Sequence, residues 1–161
     1  MIELNKITIL DDNMKECIAL DIAPGKEDYV WTNAITLAAA YRTYKRYSNA
    51  MECRAIYAQG KMVGLISYFY SIDNPIFKET CYRIRPVMID KNHLGKGYEE
   101  AALNKLLEEV QTKPHGEATA IFATYNPKEE DMAKLYLSAG FTKTDMKTKN
   151  TGDDIIMRMG L

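Results

Sequence analysis

Cysteine and histidine, which build most disulfide frameworks and metal sites, are scarce in this chain of 161 residues. The three cysteines, Cys17, Cys53 and Cys81, are widely spaced and form no CxxC pair. His93 and His115 each stand far from a second plausible ligand. An odd number of scattered thiols is typical of buried cysteines in a reducing cytosol. We therefore expect a cytoplasmic protein without a metal site.

Long apolar runs and a dominant charge are missing too. No run approaches the roughly 20 apolar residues that span a bilayer. The start, MIELNKITIL, lacks the basic segment followed by an apolar segment that marks a signal peptide. The net charge of −1 provides no overall field to attract nucleic acid or an anionic membrane. We expect neither as a partner.

The remaining composition is that of one globular domain, residues 1–161. Hydrophobic residues make up 47 % and charged residues 27 %, which is ordinary for a folded domain of this length. Periodicity and turn signals predict the order β-αα-βββ-α-β-α-ββ, which is mixed α/β. The second helix is predicted from Tyr29 to about Tyr47, and Gln59-Gly60-Lys61 predicts a hairpin.

Three further signals bear on the site. Pro86 interrupts the strand TCYRIRPVMID, and a proline cannot donate to a strand ladder, so it predicts an edge or a bulge. NPKEEDMAKLYLSAG predicts a helix with Asn126 as N-cap, Pro127 in its first turn and Gly140 at its C-terminal end. FTKTDMK and DIIMRM predict two last strands around Asn150-Thr151-Gly152.

Gly95 and Gly97 lie between a predicted strand and a predicted helix. The first N–H groups of a helix lack intrahelical partners, and the helix dipole favours negative charge there. Glycine also lets a backbone approach a phosphate closely. The pattern matches neither a Walker A loop nor G-x-G-x-x-G, so on these residues alone a purely structural turn is equally supported.

VMIDKNHLGKGYEEAALNKLL, followed by AKLYLSAGF, resembles the GNAT (Gcn5-related) N-acetyltransferase superfamily. The resemblance covers nearly the whole chain. It implies a single acetyltransferase domain with a mostly antiparallel sheet of six to seven strands, splayed at a bulge and flanked by about four helices. EDYVWTNAITLAAAY and GKMVGLISYFY are most similar to the spermine/spermidine (diamine) acetyltransferase branch.

This resemblance implies acetyl-CoA as co-substrate. The strand backbone would pair with its pantetheine arm, and the loop amides would hold its pyrophosphate. The implied cofactor-binding residues are Val87, Met88, Ile89, Leu94, Gly95, Lys96, Gly97, Tyr98 and Glu99. The resemblance also makes Tyr136 the general acid for the departing thiolate, although its place on the apolar stripe equally suits a core aromatic, and one tyrosine can serve both purposes.

The implied acceptor is a primary amine of a small molecule, such as a polyamine. The candidate acceptor-binding residues are Glu27, Asp28, Asp73, Glu79 and Arg85, with Glu52 as a further carboxylate near the acceptor side. No single general base can be chosen among the acids. Arg83, Arg85 and Pro86 stand where the diamine branch tends to have an acidic residue and one arginine, which makes an acceptor bearing a carboxylate conceivable.

Two departures from the family pattern leave alternatives open. Leu94 stands where the family has Gln or Arg, and Glu99 where it has Gly or Ala, unless the register shifts so that Asn92 takes the Gln position. Glu99 would repel a bound diphosphate unless it points aside or Lys96 offsets it. A catalytically weakened binding or regulatory protein, or an acetyltransferase for protein amines, are the alternatives. Dimers are common in the family, so a homodimer is one option.

Overall fold

The computed structural model describes residues 1–7, 12–28, 30–46, 50–147 and 152–161, and for residues 44–46 only the backbone. The described strands are β1 (Ile2–Lys6), β2 (Ala50–Ala58), β3 (Lys61–Ser71), β4 (Cys81–Ile84), β5 (Met88–Ile89), β6 (Ala120–Tyr125), β7 (Thr142–Lys143) and β8 (Ile155–Gly160). The described helices are α1 (Asn13–Ile18), α2 (Asn33–Arg46), α3 (Tyr98–Gln111) and α4 (Glu130–Ser138), with a 3₁₀ turn at Lys91–His93. None of these helices is both long and apolar enough to cross a membrane.

The strands form one sheet in the order β1-β2-β3-β4-β6-β8-β7, with β5 paired to β3 beyond the end of β4. Every pairing is antiparallel except the parallel pair β4 and β6. The predicted mixed α/β class and element order are confirmed. The sheet has eight strands rather than six to seven, because Pro86 divides one predicted strand into β4 and β5.

The two faces of the sheet carry different helices. The apolar stripe of α3, including Leu103, Leu106 and Val110, is fully buried in a core shared with Tyr68 and Tyr82. On the opposite face, buried residues of β2 and β3 join Cys17 of α1 and partly buried residues of α2 in a separate cluster. All three cysteines are buried and free, as predicted.

Local turn chemistry explains the β2–β3 hairpin. Gln59 and Gly60 have φ angles of 52° and 74°. Positive φ at both central residues is typical of the type I′ turn, whose twist matches that of paired strands. The hairpin predicted at these residues is confirmed.

The sheet divides at the break that Pro86 predicts. Parallel pairing of β4 with β6 extends only to Ile84 opposite Ala123. Beyond it, β5 pairs with β3 alone, and the end of β6 pairs with β8 alone. Three residues, 85–87, stand opposite the two residues 66–67 of β3, which is a bulge. β5 and the end of β6 therefore diverge, and a space opens between them.

The helix predicted at NPKEEDMAKLYLSAG begins later than expected. The Asn126 side chain accepts a hydrogen bond from the Lys128 N–H, at 3.0 Å, and so closes a turn instead of capping the helix. Glu129 occupies the N-cap position. The predicted C-terminal end is confirmed: Gly140 has a φ of 95°, and the Phe141 N–H donates to the Tyr136 carbonyl at 3.0 Å. This is a Schellman motif.

Three other predicted boundaries differ or lie outside the described residues. α2 begins at Asn33 rather than at Tyr29, and both predicted ends, Tyr29 and Tyr47, fall on residues that the structure does not describe. The same holds for residues 8–10 of the first predicted strand and for Asn150 and Thr151 of the last turn.

Candidate functional site

A cleft of about 680 Å³ occupies the space where the sheet divides. One wall is β5 with the loop that leads into α3, and the other is α4. The cleft is lined by Ile22, Ala23, Pro24, Lys26, Val30, Pro86, Val87, Met88, Ile89, Leu94, Gly95, Gly97, Glu99, Glu100, Glu129, Asp131, Met132, Lys134, Leu135 and Ser138. A cavity of this volume suits a small organic ligand.

The glycine loop at one end of the cleft is built to receive an anion. Gly95 and Gly97 both have φ near 71°, a conformation that favours glycine, and neither has an atom within 4 Å of the position of an added Cβ. Gly97 is the N-cap of α3 without any side-chain cap, and the first intrahelical bond runs from the Ala101 N–H to the Gly97 carbonyl. The amides of residues 98–100 precede that bond, so they have no partner within the helix.

Most of the predicted cofactor-binding residues come together in this cleft. Those that line it are Val87, Met88, Ile89, Leu94, Gly95, Gly97 and Glu99. Lys96 and Tyr98 are not part of the lining. Lys96 is exposed, and its ammonium lies 6.0 Å from the centre of the Tyr98 ring. The amide side chain of Asn92 bonds to Asp90, so the structure favours the register that puts Leu94 in the cleft.

Glu99 lies in the cleft wall, half-buried, next to the free amides of α3. Among the described residues no ion pair joins Glu99 to Lys96. A carboxylate at a helix N-terminus is favourable when no ligand is bound, whereas it opposes a second negative charge there.

Part of the connection between α1 and α2 lies along the cleft, and we call residues 21–26 the strap. The buried carboxylate of Asp90 accepts a hydrogen bond from the Asp21 N–H at 2.8 Å and another from the Asn92 N–H at 2.9 Å. Burial raises the pKa of Asp90. The hydrogen bonds lower it by more than burial raises it, so the pKa lies below the usual value. The Lys91 ammonium adds an ion pair of 2.8 Å to the Asp21 carboxylate.

The other end of the strap is fixed by an ion pair across the cleft. Lys26 Nζ lies 2.9 Å from Glu129 Oε1, and the Glu129 side chain is only 5 % exposed. The two residues come from opposite walls and are 103 positions apart in the chain. The sequence gives no local signal for such a pairing, and the strap was not among the predicted site residues.

Tyr136 is completely buried on α4, and its hydroxyl has no hydrogen-bond partner among the described residues. Phe141, fixed by the Schellman motif, packs edge-on against its ring at 5.5 Å. Burial raises the pKa of Tyr136, the charge of Glu129 raises it further, and Arg83 and Arg85 oppose this. Met132 and Leu135 of the same helix line the cleft, whereas Tyr136 itself does not.

The predicted acidic acceptor residues do not gather at the cleft. Glu27 and Asp28 are exposed just after the strap and are not part of the lining. Asp73 and Glu79 lie in the β3–β4 connection, before β4 begins, whereas the cleft opens beyond the other end of β4. Glu79 binds Arg158 and Thr119 there, and the hydrogen bond from Arg158 lowers its pKa. The structure thus separates these two acids from the cleft.

Glu52 is also committed elsewhere. It forms an ion pair with Arg54 at 2.7 Å and lies 3.4 Å from His115. Among the described residues no group of three or more histidine, cysteine, aspartate or glutamate side chains has the arrangement of a metal site.

Arg85, another predicted acceptor residue, lies beside the cleft. It lines a small cavity that shares Val30, Pro86 and Met88 with the cleft. Its guanidinium carbon lies 3.8 Å from the centre of the Trp31 ring, a close cation–π contact. Burial lowers the pKa of Arg85 to about 10, and the charge of Arg83 contributes to the shift.

Comparison with known families and structures agrees with this architecture. The family model described as "Acetyltransferase (GNAT) family" matches residues 19–141. A comparison with curated protein sequences gave no match.

Solved structures of similar fold cover almost the whole chain. An aminoglycoside acetyltransferase, AAC(6')-Ib, in complex with coenzyme A has a TM-score of 0.75 at 17 % identity, covering 99 % of this chain and 95 % of that one. A ribosomal-protein-alanine N-acetyltransferase from Brucella melitensis has a TM-score of 0.69 at 16 % identity, covering 99 % of both chains. A Bacillus subtilis acetyltransferase in complex with CoA has a TM-score of 0.61 at 15 % identity, covering 99 % and 97 %. At these identities the likeness concerns the fold.

Proposed function

Because the chain belongs to the GNAT acetyltransferase family, we propose that it transfers the acetyl group of acetyl-CoA to a primary amine of a small molecule by direct attack. The family supplies the reaction class and the co-substrate. The acceptor and the roles of individual residues are our proposal.

The divided sheet is the observation that carries this proposal. On one side of the cleft β5 has a free edge, since β3 is its only partner among the described strands, and an extended pantetheine arm can hydrogen-bond to such an edge. At the end of that edge the unpartnered amides of α3 can hold a pyrophosphate. The glycines at 95 and 97 leave room for it. One continuous surface therefore fits both parts of acetyl-CoA.

Tyr136 fits the chemistry of the leaving group. In the transfer, the amine nitrogen bonds to the thioester carbonyl carbon, the carbon–sulfur bond breaks, and the sulfur leaves with the bonding electrons. The amine gives up its proton to solvent, and the sulfur needs one in return. The buried Tyr136 hydroxyl has no hydrogen-bond partner in the described part of the chain, and its raised pKa keeps it protonated. We propose this phenol as the donor to the thiolate, a role that requires the sulfur to reach the hydroxyl, which does not line the cleft in this structure.

The acceptor class is the least determined part of the proposal. A polyamine stays a prediction, but two arginines near Tyr136 oppose a polycationic acceptor, and the acids expected to attract one lie elsewhere. The similar structures include an enzyme for aminoglycosides and one for a ribosomal protein. Both acceptors are amines, which supports the reaction class more than any one substrate.

The test combines binding with turnover. Calorimetry should detect acetyl-CoA binding to the native protein, and a panel of primary amines should include acceptors that release CoA. Tyr136→Phe should lower turnover about 10²-fold or more, as expected for loss of a general acid, with little change in acetyl-CoA affinity. It should hardly change the melting temperature, because the hydroxyl has no hydrogen bond to lose.

Tyr70→Phe is a matched control with the opposite expectation. Tyr70 is buried and donates to the Glu117 carbonyl at 3.2 Å, away from the cleft. Its loss should lower stability by about 1 kcal/mol and leave turnover unchanged. If neither acetyl-CoA binding nor CoA release is found, the proposed function is wrong. Equal turnover of Tyr136→Phe and Tyr70→Phe would instead remove Tyr136 from the mechanism.

A further inference from the structure

Two arginines, Arg83 and Arg85, lack the anionic partners that buried arginines normally have. Arg83 lies in β4 and Arg85 in the bulge that follows it, and neither belongs to the core on the α3 side. The adjacent Tyr82 and Ile84 belong to the core on the α3 side. Both arginines are partly buried.

The contacts of this pair are neutral. The guanidinium of Arg83 donates to Thr124 Oγ1 at 3.2 Å, and its Nε is buried without any partner among the described residues. Arg85 rests on the ring of Trp31. Asp154 acts on Arg83 electrostatically, but in the described part of the chain neither arginine has a carboxylate within 4.0 Å.

The α3 side of the sheet shows the usual arrangement. There Arg54 is held by two carboxylates, Glu52 at 2.7 Å and Glu109 through a fork with Nε at 3.0 Å. Burying a cation is unfavourable unless an anion compensates it. A pair of like charges without an ion-paired carboxylate among the described residues therefore indicates a ligand that brings its own negative charge.

The position of the pair identifies which ligand this is. The acetyl-CoA pyrophosphate already has a site at the glycine loop, at the α3 end of the cleft. Arg85 instead lines the small cavity beyond Pro86 and Met88, with Trp31 of the segment that leads into α2. The charges of both arginines act on the Tyr136 hydroxyl, where the leaving group would be protonated. The missing anion thus belongs on the acceptor side of the reacting centre.

We propose that Arg85, supported by Arg83, binds a carboxylate carried by the amine acceptor, so that the acceptor is an amino acid or a short peptide with a free carboxyl group. A guanidinium binds a carboxylate through two parallel hydrogen bonds. The small cavity beside Arg85, about 10 Å³, admits about one oxygen atom of the carboxylate, and the rest of the acceptor lies in the cleft, with which this cavity shares Val30, Pro86 and Met88. This inference rests on the proposed acetyltransferase function.

The test compares amines that differ only in the carboxylate. CoA release is measured at saturating acetyl-CoA for lysine against cadaverine and for ornithine against putrescine. All common amino acids are assayed against their amides, and dipeptides against dipeptide amides. These pairs show whether the carboxylate that Arg85 binds comes from a free amino acid or from a peptide. We expect kcat/KM for the best carboxylate-bearing acceptor to exceed that of its partner by at least about tenfold.

Variants test whether Arg85 causes the preference for the carboxylate-bearing acceptor. Arg85→Gln should abolish it and lower kcat/KM for the carboxylate-bearing acceptor only, whereas Arg85→Lys should retain part of it. Because Arg85 has no ion pair to lose, Arg85→Gln should fold and bind acetyl-CoA like the native protein. Arg42→Gln, which changes an exposed arginine of α2, is the matched control and should retain the full preference.

The outcomes separate this inference from the proposed function. Equal or better use of the diamines and amides would overturn the inference and leave the acetyltransferase proposal intact. The same conclusion holds if acetyl-CoA binds but no carboxylate-bearing amine is acetylated, or if Arg85→Gln lowers kcat/KM equally for both members of a pair. Absence of acetyl-CoA binding would instead refute the proposed function.

Discussion

Gly64 of β3 lies against β5, the strand that lines the cleft, and Gly64→Ala should displace β5. A Cβ added at Gly64 would lie 2.2 Å from the Met88 carbonyl oxygen, and real Cβ atoms do not approach other atoms within 3.0 Å. β5 would have to move away by about 0.8 Å. That displacement would also distort the hydrogen bond from the Asp90 N–H to the Val63 carbonyl, now 2.8 Å.

We expect Gly64→Ala to lose about 1–3 kcal/mol of stability, as overpacked sites do. For a domain of this size that lowers the melting temperature by roughly 2–12 °C. Acetyl-CoA affinity should fall as well, because the displaced β5 is the proposed binding edge. Thermal melts and calorimetric titration measure the two effects separately.

Gly160→Ala is the matched control, since Gly160 also lies in a strand but has no atom within 4 Å of the added Cβ. It should change stability by no more than about 0.5 kcal/mol. Identical melting temperatures and acetyl-CoA affinities for the two variants would refute the close approach of β3 and β5 at this point.

Two further predictions concern carboxylates around the cleft. Glu99→Gln should tighten acetyl-CoA binding severalfold, and more at low salt, because it removes a charge that opposes the diphosphate. Glu108→Gln, at an exposed position of α3, is the control and should have no effect. An unchanged dissociation constant for Glu99→Gln at low and at high salt would contradict the prediction. Asp90→Asn should lower the free energy of unfolding by about 1.5–3 kcal/mol at pH 7, since the carboxylate accepts charge-assisted hydrogen bonds from Asp21 and Asn92. Because the pKa of Asp90 is lowered in the folded state, this contribution is complete above the ordinary aspartate pKa of about 3.9 and is lost as the pH falls through the lower folded value. Urea unfolding at pH 7 and in this acidic range should show that the difference in free energy of unfolding between the native protein and Asp90→Asn shrinks at low pH. A difference that does not depend on pH would argue against an ionised Asp90.

Local chemistry explains what could be predicted from the sequence. Pro86 predicts the break in the sheet because a missing N–H ends a ladder wherever the strand lies. Gln59 and Gly60 predict their turn from backbone preference alone. The apolar spacing of α3 predicts its buried stripe. Each of these features depends on residues adjacent in the chain, so a single sequence contains the whole signal.

Features that depend on distant residues could not be predicted. Lys26 meets Glu129 only because the fold brings the strap to α4, and neither residue has a local feature that indicates it. Asn126, which closes a turn instead of capping α4, shows a different limit of prediction from sequence. An asparagine before a proline suits both a helix N-cap and a side-chain-closed turn, and the chain uses the second. Asp73 and Glu79 were predicted to bind the acceptor from the family resemblance. They lie away from the cleft because they precede β4, whereas the cleft opens beyond the other end of that strand.

The free edges that β5 and the end of β6 present to each other offer a ligand mainly N–H and carbonyl groups, which every residue except proline provides. Substitutions along such edges change the side chains and leave the recognition groups in place. A cofactor site of this kind can therefore persist while the sequence around it diverges. Evolutionary change in specificity would then concentrate at the few places where a side chain meets the ligand, such as the proposed contacts of Glu99 with the cofactor and of Arg85 with the acceptor.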